Sequence, residues 1–225
     1  MTAIFVSATG TDVGKTFVTT GLIRHFLGQG RAVDAIKPVV SGFDPAAIES
    51  SDPGALLAAL DRPPTIEEAE RISPWRFAAP LSPDMAAKRE GRAIDFAAVT
   101  EFCRSAMAAR RGHLFIEGIG GIMVPLDASR TVLDLITQLR LPLLLVAGTY
   151  VGTISHTLTA LQVLTRRNLD VAAVIVSQSQ ASAAALEDTV ATIARFSDSI
   201  DVVGIPRLAD AMTAHPAFAD IARLL

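Results

Sequence analysis

The sequence predicts an α/β fold, a parallel sheet with helices on both faces. Three observations predict it. Short continuous apolar runs recur at 3–7, 32–37, 114–117, 143–147, 172–176 and 202–205. They lack in/out alternation, as strands covered on both faces do. Amphipathic segments lie between them near 15–28, 95–110, 153–167 and 182–197, and strands alternating with helices build a parallel sheet. Finally, half of the 225 residues are hydrophobic and 19% are charged, the balance of a chain that buries a core. The length fits one domain spanning 1–225.

The first apolar run leads into Gly10-Thr11-Asp12-Val13-Gly14-Lys15-Thr16, which opens the first helix. Glycines let the backbone wrap so that amide N–H groups face phosphate oxygens, and the helix N-terminus adds partial positive charge. In such a loop Lys15 reaches the outer phosphates and Thr16 ligates magnesium. The spacing is irregular: five residues before Gly14, where a leading glycine is standard, stands Thr9. With this loop the expectation narrows to a P-loop NTPase-like fold that binds a nucleoside triphosphate.

The second run ends in Lys37-Pro38-Val39-Val40-Ser41-Gly42. Ligands of open parallel sheets bind beyond the strands' carboxyl ends. A lysine there can offset charge developing on a transferred phosphoryl group. The stretch 43–94 breaks the rhythm. It holds seven prolines and no clear strand, and reads as an insertion over the strand ends. Within it Ser82-Pro83 opens a helix to Glu90, since proline at the first helical position loses no needed hydrogen bond. Asp52 has two readings, a helix N-cap before Pro53 and a metal ligand.

Asp95 and Ser182 read as N-caps of later helices. Glu117 ends the third run and precedes Gly118-Ile119-Gly120-Gly121. A carboxylate at that place suits magnesium, which takes hard oxygens and few protein ligands.

Composition also excludes. Net charge is −3, so no basic surface points to nucleic acid. Apolar stretches such as 141–147 fall far short of the ~20 residues of a membrane span. The N-terminus enters an apolar run within three residues, without a basic leader. Cys103 is the single cysteine, so no internal disulfide forms, which suits a reducing cytoplasm.

These motifs, taken in order, resemble the dethiobiotin synthetase family nearly end to end. The resemblance rests on Gly10–Thr16, Lys37–Gly42, Ser51-Asp52 before an apolar helix, and Phe77-Ala78-Ala79-Pro80-Leu81-Ser82-Pro83 with Glu90-Gly91. It continues through Glu117–Gly121 with Pro125-Leu126, Leu141-Pro142, Gly152-Thr153-Ile154-Ser155-His156 and Gly204-Ile205-Pro206. It implies ATP-dependent closure of the ureido ring of dethiobiotin from 7,8-diaminopelargonic acid and CO2, through a carbamate and a carbamic–phosphoric anhydride. By the same resemblance Lys37, Lys15 and Thr11 act at the reacting group. Thr16, Asp52 and Glu117 hold Mg2+. The nucleotide contacts Asp12, Val13, Gly14, Lys15, Thr16, Phe17, Asp52, Glu117, Gly118, Ile119, Gly120, Ser177, Gln178, Pro206, Arg207 and Leu208. The substrate contacts Thr11, Ser41 and the loop Gly152, Thr153, Ile154 and Ser155, near the interface of a homodimer. The chain departs from the family pattern at Ala8, Gly10, Ser155 and Ser177; at Ser177 relatives carry an asparagine that contacts adenine. The rival reading is a non-catalytic regulatory nucleotide-binding module of the same fold, against which Lys37 and Ser41 speak.

Overall fold

The computed structural model describes residues 2–182, 184–208 and 214–225. Among them the strands are β1 (Ala3–Ala8), β2 (Val33–Ile36), β3 (Val39–Ser41), β4 (Trp75–Phe77), β5 (His113–Glu117), β6 (Leu143–Ala147), β7 (Val171–Ser177) and β8 (Asp201–Ile205). The helices are α1 (Lys15–Gly28), α2 (Asp52–Ala59), α3 (Ile66–Ile72), α4 (Pro83–Arg89), α5 (Phe96–Ala109), α6 (Val132–Leu139), α7 (Thr153–Arg166), α8 (Leu186–Arg195) and α9 (Pro216–Arg223).

Six strands pair in parallel in the order β2-β5-β1-β6-β7-β8. The central strands β1, β5 and β6 are buried at every position, which is why their sequences are mostly apolar. The chain builds the sheet outward from β1 in both directions. That reversal opens a crevice above the carboxyl ends of β1 and its neighbours. Val6 of β1 lies level with Glu117 on one side and Leu144 on the other, so β1 and β5 deliver the loops after Ala8 and Glu117 to one place.

Helix starts follow local chemistry. The Asp95 carboxylate accepts from the amides of Ala97 and Ala98 and starts α5. Thr131 and Asp134 form a capping box at α6.

Three expectations are corrected. The run 32–37 does not continue as strand to Lys37. β2 ends at Ile36, and the Lys37 amide donates to the carbonyl of Ile72 instead. The stretch 43–94 does contain a strand: β4 pairs with β3 in parallel, outside the main sheet. Three residues are too few to show a period, and only Phe77 of them is fully buried. Ser182 is not an N-cap. Ala185 precedes α8, and the Ser182 hydroxyl instead donates to Thr149 Oγ1 at 2.8 Å, tying together the loops after β6 and β7. Within the expected helix 182–197, residue 183 lies outside the described residues.

Candidate active site

The first turn of α1 lacks both a side-chain cap and an acidic residue, and Gly14 before it adopts φ 98°. Left-handed backbone at that point suits only glycine without strain. It leaves the orphan amides of a 14-residue helix open to an anion. Asp12 is also left-handed, at φ 56°, and completes the wrap. A cleft of about 900 Å³ opens over this loop, lined by Thr11, Asp12, Gly14, Lys15, Thr16 and Phe17 on one side. Lys37, Ser41, Asp52, Ile119 and Gly120 line it as well.

The register of β2 and β5 sets the electrostatics. Ile36 lies level with Ile116, so the next residues, Lys37 and Glu117, emerge side by side. Lys37 Nζ is 2.7 Å from Glu117 Oε1 and 2.9 Å from Asp52 Oδ2. The Thr16 hydroxyl donates to the same Glu117 oxygen at 2.7 Å. Lys37 is 2% exposed and Glu117 fully buried. Asp52 is held there by α2, whose N-cap is Ser51: its hydroxyl accepts from the Gly54 amide. Asp52 is thus the first helical residue rather than the cap, and its carboxylate is free to meet Lys37.

Burial works against the charge on Lys37, but the Glu117 and Asp52 carboxylates prevail and hold its pKa above the ordinary lysine value. Burial likewise pushes Asp52 up, and the Lys37 ammonium overrides it, so the carboxyl titrates below its usual range. Lys15 goes the other way. Burial first, then Lys37, brings it down to about 8, and its Nζ reaches only the Gly10 carbonyl, at 3.4 Å. A lysine so poorly compensated will gain from phosphate oxygens.

A metal fits this cluster by donor chemistry. Glu117 Oε2 is buried with no hydrogen-bond partner among the described residues, an orphan acceptor that calls for a cation or donor. Two carboxylates and one hydroxyl are hard oxygens, too few to cage an ion alone. They suit magnesium, which keeps waters and phosphate oxygens in its shell.

The glycines after Glu117 press on the phosphate loop. A Cβ at Gly121 would stand 3.2 Å from the Thr9 carbonyl oxygen, and the Ile122 amide donates to Ala8. Gly118 meets Phe5 and its carbonyl lies 3.4 Å from Lys37 Nζ. Val13 is buried beneath the loop.

Other expected residues fall elsewhere. Ser177 lies behind the loop: a Cβ at Gly14 would be 2.7 Å from its hydroxyl. Gln178 Oε1 accepts from the Arg207 amide at 3.0 Å, and the Gln178 amide donates to Ile205. This joins the loop after β7 to Pro206, Arg207 and Leu208 beyond β8, away from the cleft's lining. Gly152, Thr153, Ile154 and Ser155 are also outside the lining. They start α7, a 14-residue helix with Gly152 at φ 94°, no side-chain cap and no acid in its first turn, a second open helix N-terminus.

One wall was not assigned from sequence. Pro80, Leu81, Ser82 and Pro83 face the cleft opposite the phosphate loop. Glu90 pins that wall by accepting from the Ala78 amide at 2.7 Å, while Gly42 donates to the Ala79 carbonyl. Its signal was present in the Ser82-Pro83 helix start and in Glu90 ending that helix.

Known proteins resemble this chain both in sequence and in fold. A family model described as an AAA domain matches residues 2–214. The ATP-dependent dethiobiotin synthetase BioD of Acidiphilium cryptum is 46% identical over 79% of this chain and 80% of its own. Those of Methylobacterium nodulans and Caulobacter vibrioides are each 45% identical, over 87% and 92% of this chain and 89% and 93% of theirs. Among solved structures, a ParA family ATPase from Chlorobium tepidum matches with TM-score 0.53 at 11% identity, over 99% of this chain and 91% of its own. A chain of the MinC:MinD cell division complex of Aquifex aeolicus matches with TM-score 0.52 at 12% identity, over 93% and 83%. Those two likenesses show the fold alone, that of P-loop NTPases. The sequence relatives show more, and the chain belongs to the ATP-dependent dethiobiotin synthetase family.

Proposed function

We propose that the chain closes the ureido ring of dethiobiotin from 7,8-diaminopelargonic acid, CO2 and ATP. One amine captures CO2 as a carbamate and releases a proton. A carbamate oxygen attacks the γ-phosphorus of ATP, ADP leaves, and a carbamic–phosphoric anhydride results. The second amine then attacks the carbamate carbon and gives up a proton, the C–O bond to phosphate breaks, phosphate leaves and the ring closes. The carbamate is itself the nucleophile, so the protein supplies position and charge rather than a serine or cysteine.

The observation that carries this reading is Lys37, buried between Asp52 and Glu117 at the lip of the phosphate loop and facing the same cleft as Ser41. In it Lys15 and Lys37 neutralise the transferring group, and Thr11 and Ser41 hold the carbamate. Thr16, Asp52 and Glu117 hold magnesium, whose chemistry when bound is to draw off phosphate charge. Residues Asp12 to Phe17 and Gly118 to Gly120 cradle the phosphates. Gln178 and Pro206 to Leu208 serve the base, and Ser177 backs the phosphate loop at Gly14.

The same reading takes residues 1–225 as one domain, with 43–94 inserted over the strand ends, where it supplies Asp52 and the cleft wall. It takes the active species as a cytoplasmic homodimer, with the substrate carboxylate on the amides of Gly152 to Ser155. Among the described residues no helix is long and apolar enough to cross a membrane.

The test is phosphate release from ATP with the diamine and bicarbonate supplied together or singly, with the product identified by mass. Release should require both and match ring product in amount. Release indifferent to the diamine would overturn the reading in favour of a plain ATPase or sensor.

A further inference from the structure

We infer that Lys37 has a second role as the resident cation of the metal site: it occupies the metal's carboxylates until nucleotide arrives, so the site takes a divalent ion with nucleotide and rejects the free ion. This rests on the reading of Thr16, Asp52 and Glu117 as the metal's ligands.

One oxygen of each carboxylate is already in use. Glu117 Oε1 accepts from both Lys37 and Thr16, each at 2.7 Å, and Asp52 Oδ2 accepts from Lys37 at 2.9 Å. Among the described residues, Glu117 Oε2 is buried and has no partner. A free divalent ion entering here has two courses. It can sit beside the ammonium and be repelled across a few ångströms in a partly dry site, or it can push the ammonium off both carboxylates. Displaced, Lys37 keeps a single distant acceptor, the Gly118 carbonyl at 3.4 Å, and a buried charge without partners is costly.

Charge balance points the same way. Lys15 and Lys37 face Asp12, Asp52 and Glu117, one negative charge in excess, so a free dication leaves surplus positive charge. A triphosphate brings its own compensation and offers Lys37 new acceptors in the cleft that it already lines. The ammonium then moves from carboxylate to phosphate and frees Glu117 and Asp52 for the ion. A compact, rotatable ammonium can make that exchange; a planar guanidinium fork cannot make it as readily.

The probe is Mn2+ added to the full chain, with free ion read by electron paramagnetic resonance, without nucleotide and with a non-hydrolysable ATP analogue. Without nucleotide the unmodified protein should bind Mn2+ at least about tenfold more weakly than Lys37→Met, in which the carboxylates lose their cation. Mn2+ should also raise the melting temperature of Lys37→Met more than that of the parent. Lys37→Arg keeps the charge and should reject the free ion as the parent does. With the analogue present, the parent should bind Mn2+ stoichiometrically. Tight binding of Mn2+ by the nucleotide-free parent overturns the inference whether or not Lys37→Met folds, and so does equal binding by parent and Lys37→Met. Glu117→Gln separates the two readings. If it binds Mn2+ with the analogue as tightly as the parent does, the ligand assignment itself falls. If it loses that binding while parent and Lys37→Met take free Mn2+ alike, only the present inference falls.

Discussion

Phe218 of α9 fills the space that a side chain at Gly21 of α1 would need; a Cβ built there would overlap its ring. The same ring lies 6.1 Å from that of Phe17, one turn earlier on α1. The C-terminal helix is therefore seated on the helix that carries the phosphate loop through one missing methyl.

In an open helix interior Gly→Ala gains about 1 kcal/mol. Here the clash decides the sign. Gly21→Ala should destabilise by about 1–3 kcal/mol, as overpacking does, read as a lower denaturant midpoint with unchanged slope. The cost should shrink in a Phe218→Leu background. An unchanged or raised midpoint would show that α9 yields freely.

Lys37 should matter to stability as well as to rate. Its removal strands the fully buried Glu117 carboxylate, and breaking a buried pair from one side typically costs about 3–5 kcal/mol. Lys37→Ala should lose roughly that much, and Lys37→Ala with Glu117→Gln should recover part of it. Turnover of the folded fraction should fall about 100- to 1,000-fold. Near-normal turnover in a well-folded Lys37→Ala would remove Lys37 from the chemistry.

Some of this was legible in the sequence and some was not, for physical reasons. Thr16 lies in the first turn of α1, Lys37 follows β2 and Glu117 ends β5, and parallel strands send all such ends to one edge. What the residues alone leave open is strand order. Lys37 meets Glu117 because β2 lies beside β5 with Ile36 level with Ile116, a pairing between segments 80 residues apart. The β3–β4 ribbon escaped notice because three-residue strands carry no period. The Glu90 anchor escaped because a side chain accepting from a backbone amide twelve residues away leaves no local pattern. Ser182 looked like a cap by type and is spent on Thr149, a tertiary contact that overrides local preference.

His113 gives the fold a pH dependence remote from the cleft. It begins β5, is buried, and stacks on Phe26 at 4.4 Å with Arg31 against its ring. Burial, then the Arg31 charge, lowers its pKa, and Nδ1 has no partner among the described residues. Because the folded pKa lies below the unfolded one, the unfolded chain binds the proton more readily. Stability therefore falls as pH drops through about 6.5, the unfolded value, and is restored above it. Denaturant midpoints at pH 5.5 and 7.5 should differ more in the parent than in His113→Phe. Equal differences in the two proteins would clear His113 of the effect.

The last expectation concerns the base. Where the family resemblance implies an asparagine this chain has Ser177, and its hydroxyl is turned against Gly14 of the phosphate loop, 2.7 Å from the place of a Cβ there. A short side chain so placed has no reach toward a base edge. Gln178 is next, and its carbonyl oxygen is held by the Arg207 amide at 3.0 Å. That anchor leaves the –NH2 half as a donor, where an amide with both ends free could donate and accept together. One donor reads one acceptor, so selection among bases should amount to about one hydrogen bond, roughly 0.5–1.5 kcal/mol or about 2- to 13-fold. Phosphate contacts at Lys15 and the α1 terminus are indifferent to the base. ATP should therefore be used best and GTP and CTP only modestly worse, compared as kcat/KM in one buffer. Gln178→Ala should bring the ratios toward one, and Ser177→Asn should widen them if asparagine clears Gly14. A parent that strongly rejects GTP and CTP, with the ratio unmoved in Gln178→Ala, would place base recognition on other residues.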